Sequence, residues 1–371
     1  MKKLGFGLMR LPLINPDDNT SVDIEAVRQM VDTFMEKGFT YFDTAAPYHR
    51  GQSEIAFREA VAKRYPRNSY TITDKLSLFM LKGEDDFQPF FDAQLERLGV
   101  EYVDYYWLHG LGGPSYHQAE EQHAFAFIRK LKAEGKVKHI GLSYHDKAAL
   151  LDEILTKHPE MEYVQLQLNY LDWEDPMVES RKCYEVATKH RKPVIVMEPI
   201  KGGSLVNVPE EAVKLYQDYA PDMSVASWAI RFAASPANVM MVLSGMSSQE
   251  QMEDNTGYMK SFRAMNQQEL SLVEQAAEII KGSITIPCTA CRYCVDECPM
   301  RIAIPDYFAI YNNLKRFGAG QGIVASTYYG NLTQTNGKAS DCLKCGKCEK
   351  RCPQHLPIRQ YLEEAAGALE R

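Results

Sequence analysis

No stretch of the 371 residues is apolar for long enough to cross a bilayer as a helix, and the opening MKKLGFGLMRLPL lacks the apolar core and small-residue cleavage site of a secretory leader. A basic field is missing too. The 42 Lys and Arg stand against 49 Asp and Glu, a net charge of −7, which argues against nucleic acid as a partner. A cytoplasmic protein without membrane contact is the expectation. No G-x-G-x-x-G follows the first strand-like run, so the fingerprint of a doubly wound dinucleotide fold is absent. Cysteine is almost missing from the first three quarters of the chain: of nine, only Cys183 lies there, in a helical pattern where it reads as a small buried hydrophobe.

What is present is ordinary in bulk and distinctive in detail. Hydrophobic residues make up 45% and charged residues 25%, as in globular proteins generally. The length exceeds what one core usually supports unless that core is an α/β barrel. Up to about residue 260, strand-like runs alternate with amphipathic helical stretches. The runs are LGFGLM (4–9), TYFDT (40–44), YTITDK (70–75), VDYYWLH (103–109), KHIGLS (138–143), YVQLQLN (163–169), PVIVMEP (193–199) and NVMMVLS (238–244). Between them lie helical patterns such as IEAVRQMVDTFMEKG (24–38) and HAFAFIRKLKAEG (123–135). Eight such units fit a (β/α)8 TIM barrel of about 250 residues. The expected division is a barrel over 1–264, a linker helix over 265–282, and a mostly helical ferredoxin-like domain over 283–371. That last domain is expected to carry a helix over 306–318 and a Gly/Asn/Thr-rich insertion up to Ser340.

The final segment holds two copies of C-x2-C-x2-C-x3-C-P: Cys288, Cys291, Cys294, Cys298 and Pro299, then Cys342, Cys345, Cys348, Cys352 and Pro353. The short spacers let a tight loop aim three thiolates at one cluster, and in paired runs the fourth cysteine serves the other cluster. Two [4Fe–4S] clusters are therefore expected, one on Cys288, Cys291, Cys294 and Cys352, the other on Cys342, Cys345, Cys348 and Cys298. Zinc needs only four ligands per ion and does not call for this doubled pattern. Lys344, Lys347, Lys350 and Arg351 crowd the second run, either as a solvated loop or as a surface for an acidic electron carrier.

At the ends of barrel strands, where such folds place their chemistry, stand Asp43, Lys75 and His109, with Tyr48 in the loop five residues after Asp43. In order and spacing these resemble the Asp–Tyr–Lys–His tetrad of the aldo-keto reductases over residues 4 to 258. The remainder resembles the ferredoxin-fused branch of that family. Reducing a carbonyl with hydride leaves an alkoxide that needs a proton and a polarised oxygen. A free phenol has a pKa near 10, and a Lys75 ammonium held by Asp43 would lower that of Tyr48. Tyr48 then acts as general acid, or as base in the reverse direction, while His109 orients the carbonyl oxygen.

The resemblance further implies a nicotinamide cofactor, NADP or NAD. It puts Ser143 and Gln165 at the carboxamide and Met197 at the nicotinamide ring, with Gly7 and Met9 at the end of the first strand. Pro199, Ile200, Gly202, Gly203 and Leu205 would lie along the pyrophosphate, and Gly245, Ser247, Gln251, Asp254 and Asn255 around the adenosine. Three positions depart from the family pattern: Tyr144 stands where asparagine often follows the serine, Met197 where many members stack an aromatic on the nicotinamide, and Gln251 where NADPH-specific members often have arginine. The function expected is NAD(P)-linked reduction of a small aldehyde or ketone, or the reverse alcohol oxidation, with the clusters exchanging electrons with a carrier protein. A barrel that only binds a ligand beside an electron-transfer module, or clusters that are purely structural, are the alternatives.

Overall fold

The computed structural model describes residues 2–175, 178–283, 285–317, 325, 329–330 and 332–370. Eight short strands alternate with helices: β1 (Leu4–Gly7), β2 (Tyr41–Asp43), β3 (Thr71–Leu76), β4 (Val103–Leu111), β5 (Val137–Tyr144), β6 (Tyr163–Gln167), β7 (Val194–Met197) and β8 (Val239–Gly245). Each pairs in parallel with its neighbour in sequence. β1 also pairs with β8, with Leu4 opposite Val242 and Gly7 opposite Gly245, so the sheet closes into a barrel without an edge. The (β/α)8 expectation holds.

Strand ends differ from the sequence reading where the backbone turns early or late. β1 stops at Gly7, because a 3-10 turn over Leu8–Arg10 takes the chain out of the sheet before Met9. β4 runs on to Leu111 instead of ending at His109. A register shift between Leu108 and Leu111, with Gly110 at φ 66°, lets His109 leave the pleat while the strand continues.

Helix α1 (Ile24–Glu36) shows why the outer layer forms. The Asp23 carboxylate accepts from the Ala26 N–H at 3.0 Å and so caps the first turn, while Val27, Met30, Val31 and Phe34 make one buried stripe. Helices α2 (Gln52–Phe57) and α3 (Phe87–Leu98) follow β2 and β3. The barrel interior is filled by aromatic side chains. Tyr41, Tyr105 and Trp107 pack with Ile195, Met241 and Leu243, and successive ring centroids lie 5.6 and 5.4 Å apart. Gly141 on β5 is required by this packing: a Cβ there would stand 2.3 Å from the Tyr163 carbonyl oxygen and 2.6 Å from the Trp107 ring.

The chain divides into two compact units. One comprises Met1–Ile200 with Tyr219–Val273, the other Lys201–Asp218 with Glu274–Arg371. A continuous helix spans Gln267–Ser283, and the division between the units falls within it, between Val273 and Glu274. In the second unit, Ile302, Ile304, Tyr307 and Phe308 pack against Ile358, Leu362, Ala365 and Leu369, joining the helices Ile304–Phe317 and Ile358–Leu369. The insertion expected before Ser340 lies largely outside the described residues.

Candidate active site and cluster ligands

Asp43 ends β2 and Lys75 is the penultimate residue of β3, so parallel pairing carries both side chains to the same rim. Lys75 is 1% exposed and Asp43 3%. The Lys75 ammonium donates to Asp43 Oδ1 at 2.6 Å, to the Thr44 carbonyl at 2.8 Å and to the Tyr48 hydroxyl at 3.4 Å. Burial works against the ammonium, but the fields of Asp43 and Tyr48 outweigh it and the Lys75 pKa moves upward. Burial also pushes the Asp43 carboxyl up, against the opposing pull of Lys75 and of Gln165, whose amide donates to Asp43 Oδ2 at 3.2 Å.

The His109 ring lies 6.1 Å from the Tyr48 ring, edge-on, and its Nδ1 is 2.6 Å from the Ser77 hydroxyl. Burial first, then the charge of Lys75, holds its pKa well below the ordinary histidine value, so the ring is neutral at pH 7. With the Ser77 hydroxyl donating to Nδ1, the remaining ring N–H is a donor. The four residues read from sequence form one constellation. Thr44, Ser77 and Phe79, whose ring is 5.6 Å from His109, join it without having been singled out. Only the proximity of Ser77 and Phe79 to Lys75 in DKLSLF hinted at them.

The cysteines gather as the doubled motif requires. Cys288, Cys291, Cys294 and Cys352 line one cavity, and Cys298, Cys342, Cys345 and Cys348 line a second. Among the described residues no three His, Cys, Asp or Glu side chains converge closely enough to hold a single metal ion. Burial, then neighbouring sulfurs, pushes Cys294 up to about 12; burial likewise takes Cys288 and Cys348 to about 11. Such thiols ionise at neutral pH only when a metal displaces the proton.

Residues 3–278 match the aldo/keto reductase family profile, three quarters of the chain. The chain belongs to the aldo/keto reductase family. An aldo-keto reductase of Mycolicibacterium vanbaalenii is 31% identical over 247 residues, covering 66% of this chain and 81% of that protein. The NADH-specific methylglyoxal reductase of Escherichia coli is 21% identical over 267 residues, covering 61% and 81%. Among solved structures, the holo aldo-keto reductase of Bacillus halodurans superposes with TM-score 0.60 at 21% identity, covering 74% of this chain and 91% of its own. One from Klebsiella pneumoniae in complex with NADPH has TM-score 0.57 at 19% identity and covers 74% and 90%. Residues 287–356 match the 4Fe-4S dicluster domain.

The positions expected to hold the nucleotide lie on several elements. Ser143, 1% exposed, accepts from the Gly110 N–H at 2.7 Å, and its own proton has no acceptor among the described residues. Gly7 and Gly245 stand side by side at the ends of β1 and β8, and Met9 is 53% exposed. Met197 ends β7, and Pro199 is buried. Ile200 is half-buried. Gly202 and Gly203 have φ of 65° and 98°, and Leu205 is buried; these three belong to the second compact unit. Around the helix Gln249–Met259, Asn255 is buried, its amide donating to Ser244 Oγ at 2.9 Å and accepting from the Tyr258 hydroxyl at 2.6 Å. The Gln251 carbonyl accepts from the Ser247 N–H at 2.8 Å, and Asp254 accepts from the Ser224 hydroxyl at 2.6 Å. Cys183 is buried, as its helix pattern implied.

Proposed function

We propose that this chain reduces small aldehydes or ketones with a nicotinamide cofactor, and in reverse oxidises the corresponding alcohols. The observation that carries the reading is the buried Lys75 ammonium, 2.6 Å from Asp43 and 3.4 Å from the Tyr48 hydroxyl. A cation so placed favours the phenolate over the phenol and so eases proton release from Tyr48. The ordering of events follows from the residues. His109, neutral, donates to the carbonyl oxygen and fixes its direction. Tyr48 gives its proton to that oxygen as negative charge develops there, and Lys75, anchored by Asp43, compensates the phenolate left behind. A bound reduced nicotinamide supplies the hydride. The unsatisfied Ser143 hydroxyl fits its carboxamide, while Gln165, already donating to Asp43, retains its carbonyl for the same amide.

Gln251 has no charge to offer a 2′-phosphate, and its side-chain carbonyl already takes the Ser247 N–H. NADH is therefore the favoured partner over NADPH. The clusters add one-electron capacity. In the stretch 342–353 four cations stand against Glu349, whereas 288–299 has Arg292 against Asp296 and Glu297. Lys347 and Lys350 are exposed, and Leu343 beside them is 63% exposed. This suits docking of an acidic one-electron carrier at the second cage, and electron exchange with such a carrier should then slow steeply as salt is raised. Eight unpaired thiols in two cages fit a reducing cytoplasm.

The test is anaerobic turnover of NADH and NADPH against a panel of small carbonyls, with methylglyoxal as first probe. Tyr48→Phe should lower kcat by about 10²–10⁴-fold, the worth of a positioned general acid. Undiminished turnover in that variant would overturn the assignment.

A further inference from the structure

Behind the tetrad, on the side of β3 facing the outer helices, lies a second acidic group that the reaction does not use. Asp74 is the residue before Lys75, and both it and Glu54 of α2 are 0% exposed. The two carboxyls are near enough for Glu54 to act on Asp74 both through its charge and through a side-chain hydrogen bond. Both carboxylate oxygens of Glu54 accept from the Arg97 guanidinium of α3, one at 3.3 Å. Asp74 Oδ1 accepts from the Lys75 N–H at 2.8 Å, but Asp74 Oδ2 is buried with no donor in reach among the described residues. One arginine cannot neutralise two buried carboxylates, and an oxygen without a donor costs its full desolvation. The other polar neighbours do not help. The Tyr106 hydroxyl of β4 donates at 2.6 Å to Gln94, whose amide donates at 3.0 Å to the Lys75 carbonyl. The Lys75 ammonium is committed to Asp43, Thr44 and Tyr48.

We propose that Asp74 carries a proton at neutral pH and donates it from Oδ2 to the Glu54 carboxylate, and that this acid–carboxylate bridge is a positioning device for Lys75 and Tyr48. The bridge joins the strand that presents Lys75 to the helix that starts at Gln52, directly after the turn Tyr48–Gly51. It therefore ties together the two segments whose separation sets the ammonium–phenol contact. Burial first, then the Glu54 charge, pushes the Asp74 carboxyl well above its usual range, in agreement with the unmatched oxygen. No bond is made or broken in the reaction by this pair. Its proton stays in place and orients.

The positioning part rests on the tetrad reading above; the protonation does not, and two measurements separate them. Infrared spectra of the whole protein at neutral pH should contain the carbonyl stretch of a protonated carboxylic acid, shifted by deuteration and missing in Asp74→Asn. A wild-type spectrum without that band, or one whose band survives the substitution, overturns the proposal. Linkage supplies the second readout. A carboxyl whose folded pKa lies above its unfolded value makes stability fall as pH rises between the two. Asp74→Asn should remove one proton from that slope above about pH 4. An unchanged slope counts against the proposal. For positioning, the carboxamide can still donate to Glu54 and accept from the Lys75 N–H, so Asp74→Asn should keep kcat within about threefold. Asp74→Ala should lower kcat at least about tenfold with KM unchanged. Equal loss in both variants would show the proton to be irrelevant to the alignment. If neither variant folds, the wild-type band and its pH titration still decide the matter.

Discussion

His109 and Asp74 are both buried ionisable groups kept neutral, yet they act on stability in opposite directions. For His109 the folded pKa is depressed, chiefly by burial and next by Lys75. Below the unfolded value of about 6.5 the unfolded chain binds a proton that the folded one refuses, so this residue removes stability as pH falls through that value. His109→Gln should flatten the acid side of the stability profile by up to one proton, measured by calorimetry between about pH 7 and 5. A profile identical to wild type would mean the ring takes its proton in the fold. The tetrad itself was legible in the sequence because each member stands within a few residues of a strand end. Its supports were not. The Gln165 contact to Asp43 and the Asp74–Glu54 pairing join positions 122 and 20 residues apart, and nothing local marks them. The partners of Asn255, Ser244 and Tyr258, likewise become visible only when β8 and the following helix are packed.

Among elements, β5 carries the tightest constraint. Gly141 lies opposite Tyr163 in register and beneath Trp107, and the space for a side chain there is already taken by a carbonyl oxygen and an indole. A backbone oxygen cannot step aside as a flexible side chain would. Gly141→Ala should therefore destabilise the barrel by about 1–3 kcal/mol, as a lowered unfolding temperature, with loss of tetrad activity following the unfolded fraction. The strand pattern predicted the elements well because parallel strands buried on both faces read as continuous apolar runs. It erred at β1 and β4, where a 3-10 turn and a bulge, rather than hydrophobicity, decide where the pleat ends.

For the molecule as a whole, two cores imply two melting events. Cys294, Cys348 and Cys352 are among the buried residues of the second unit's core, so its packing and its metal sites are the same atoms. Removing iron anaerobically with a chelator should abolish the cooperative transition of that unit and leave the barrel transition and its Tyr48-dependent turnover in place. If the stripped protein keeps both transitions, the cages are not what holds that core. The doubled cysteine spacing announced this segment at once. The assignment of 201–218 to the second compact unit could not be read beforehand, since which body a loop packs with is a tertiary property.

The crosswise distribution of the cysteines has a consequence for how the chain is made. The cavity begun by Cys288, Cys291 and Cys294 is completed by Cys352, and the one built on Cys342, Cys345 and Cys348 reaches back to Cys298. A nascent chain leaving the ribosome can finish neither until residues 342–352 have emerged. Iron loading of either cage then waits for the second run, and a message truncated shortly before that run yields a protein deprived of both cages at once.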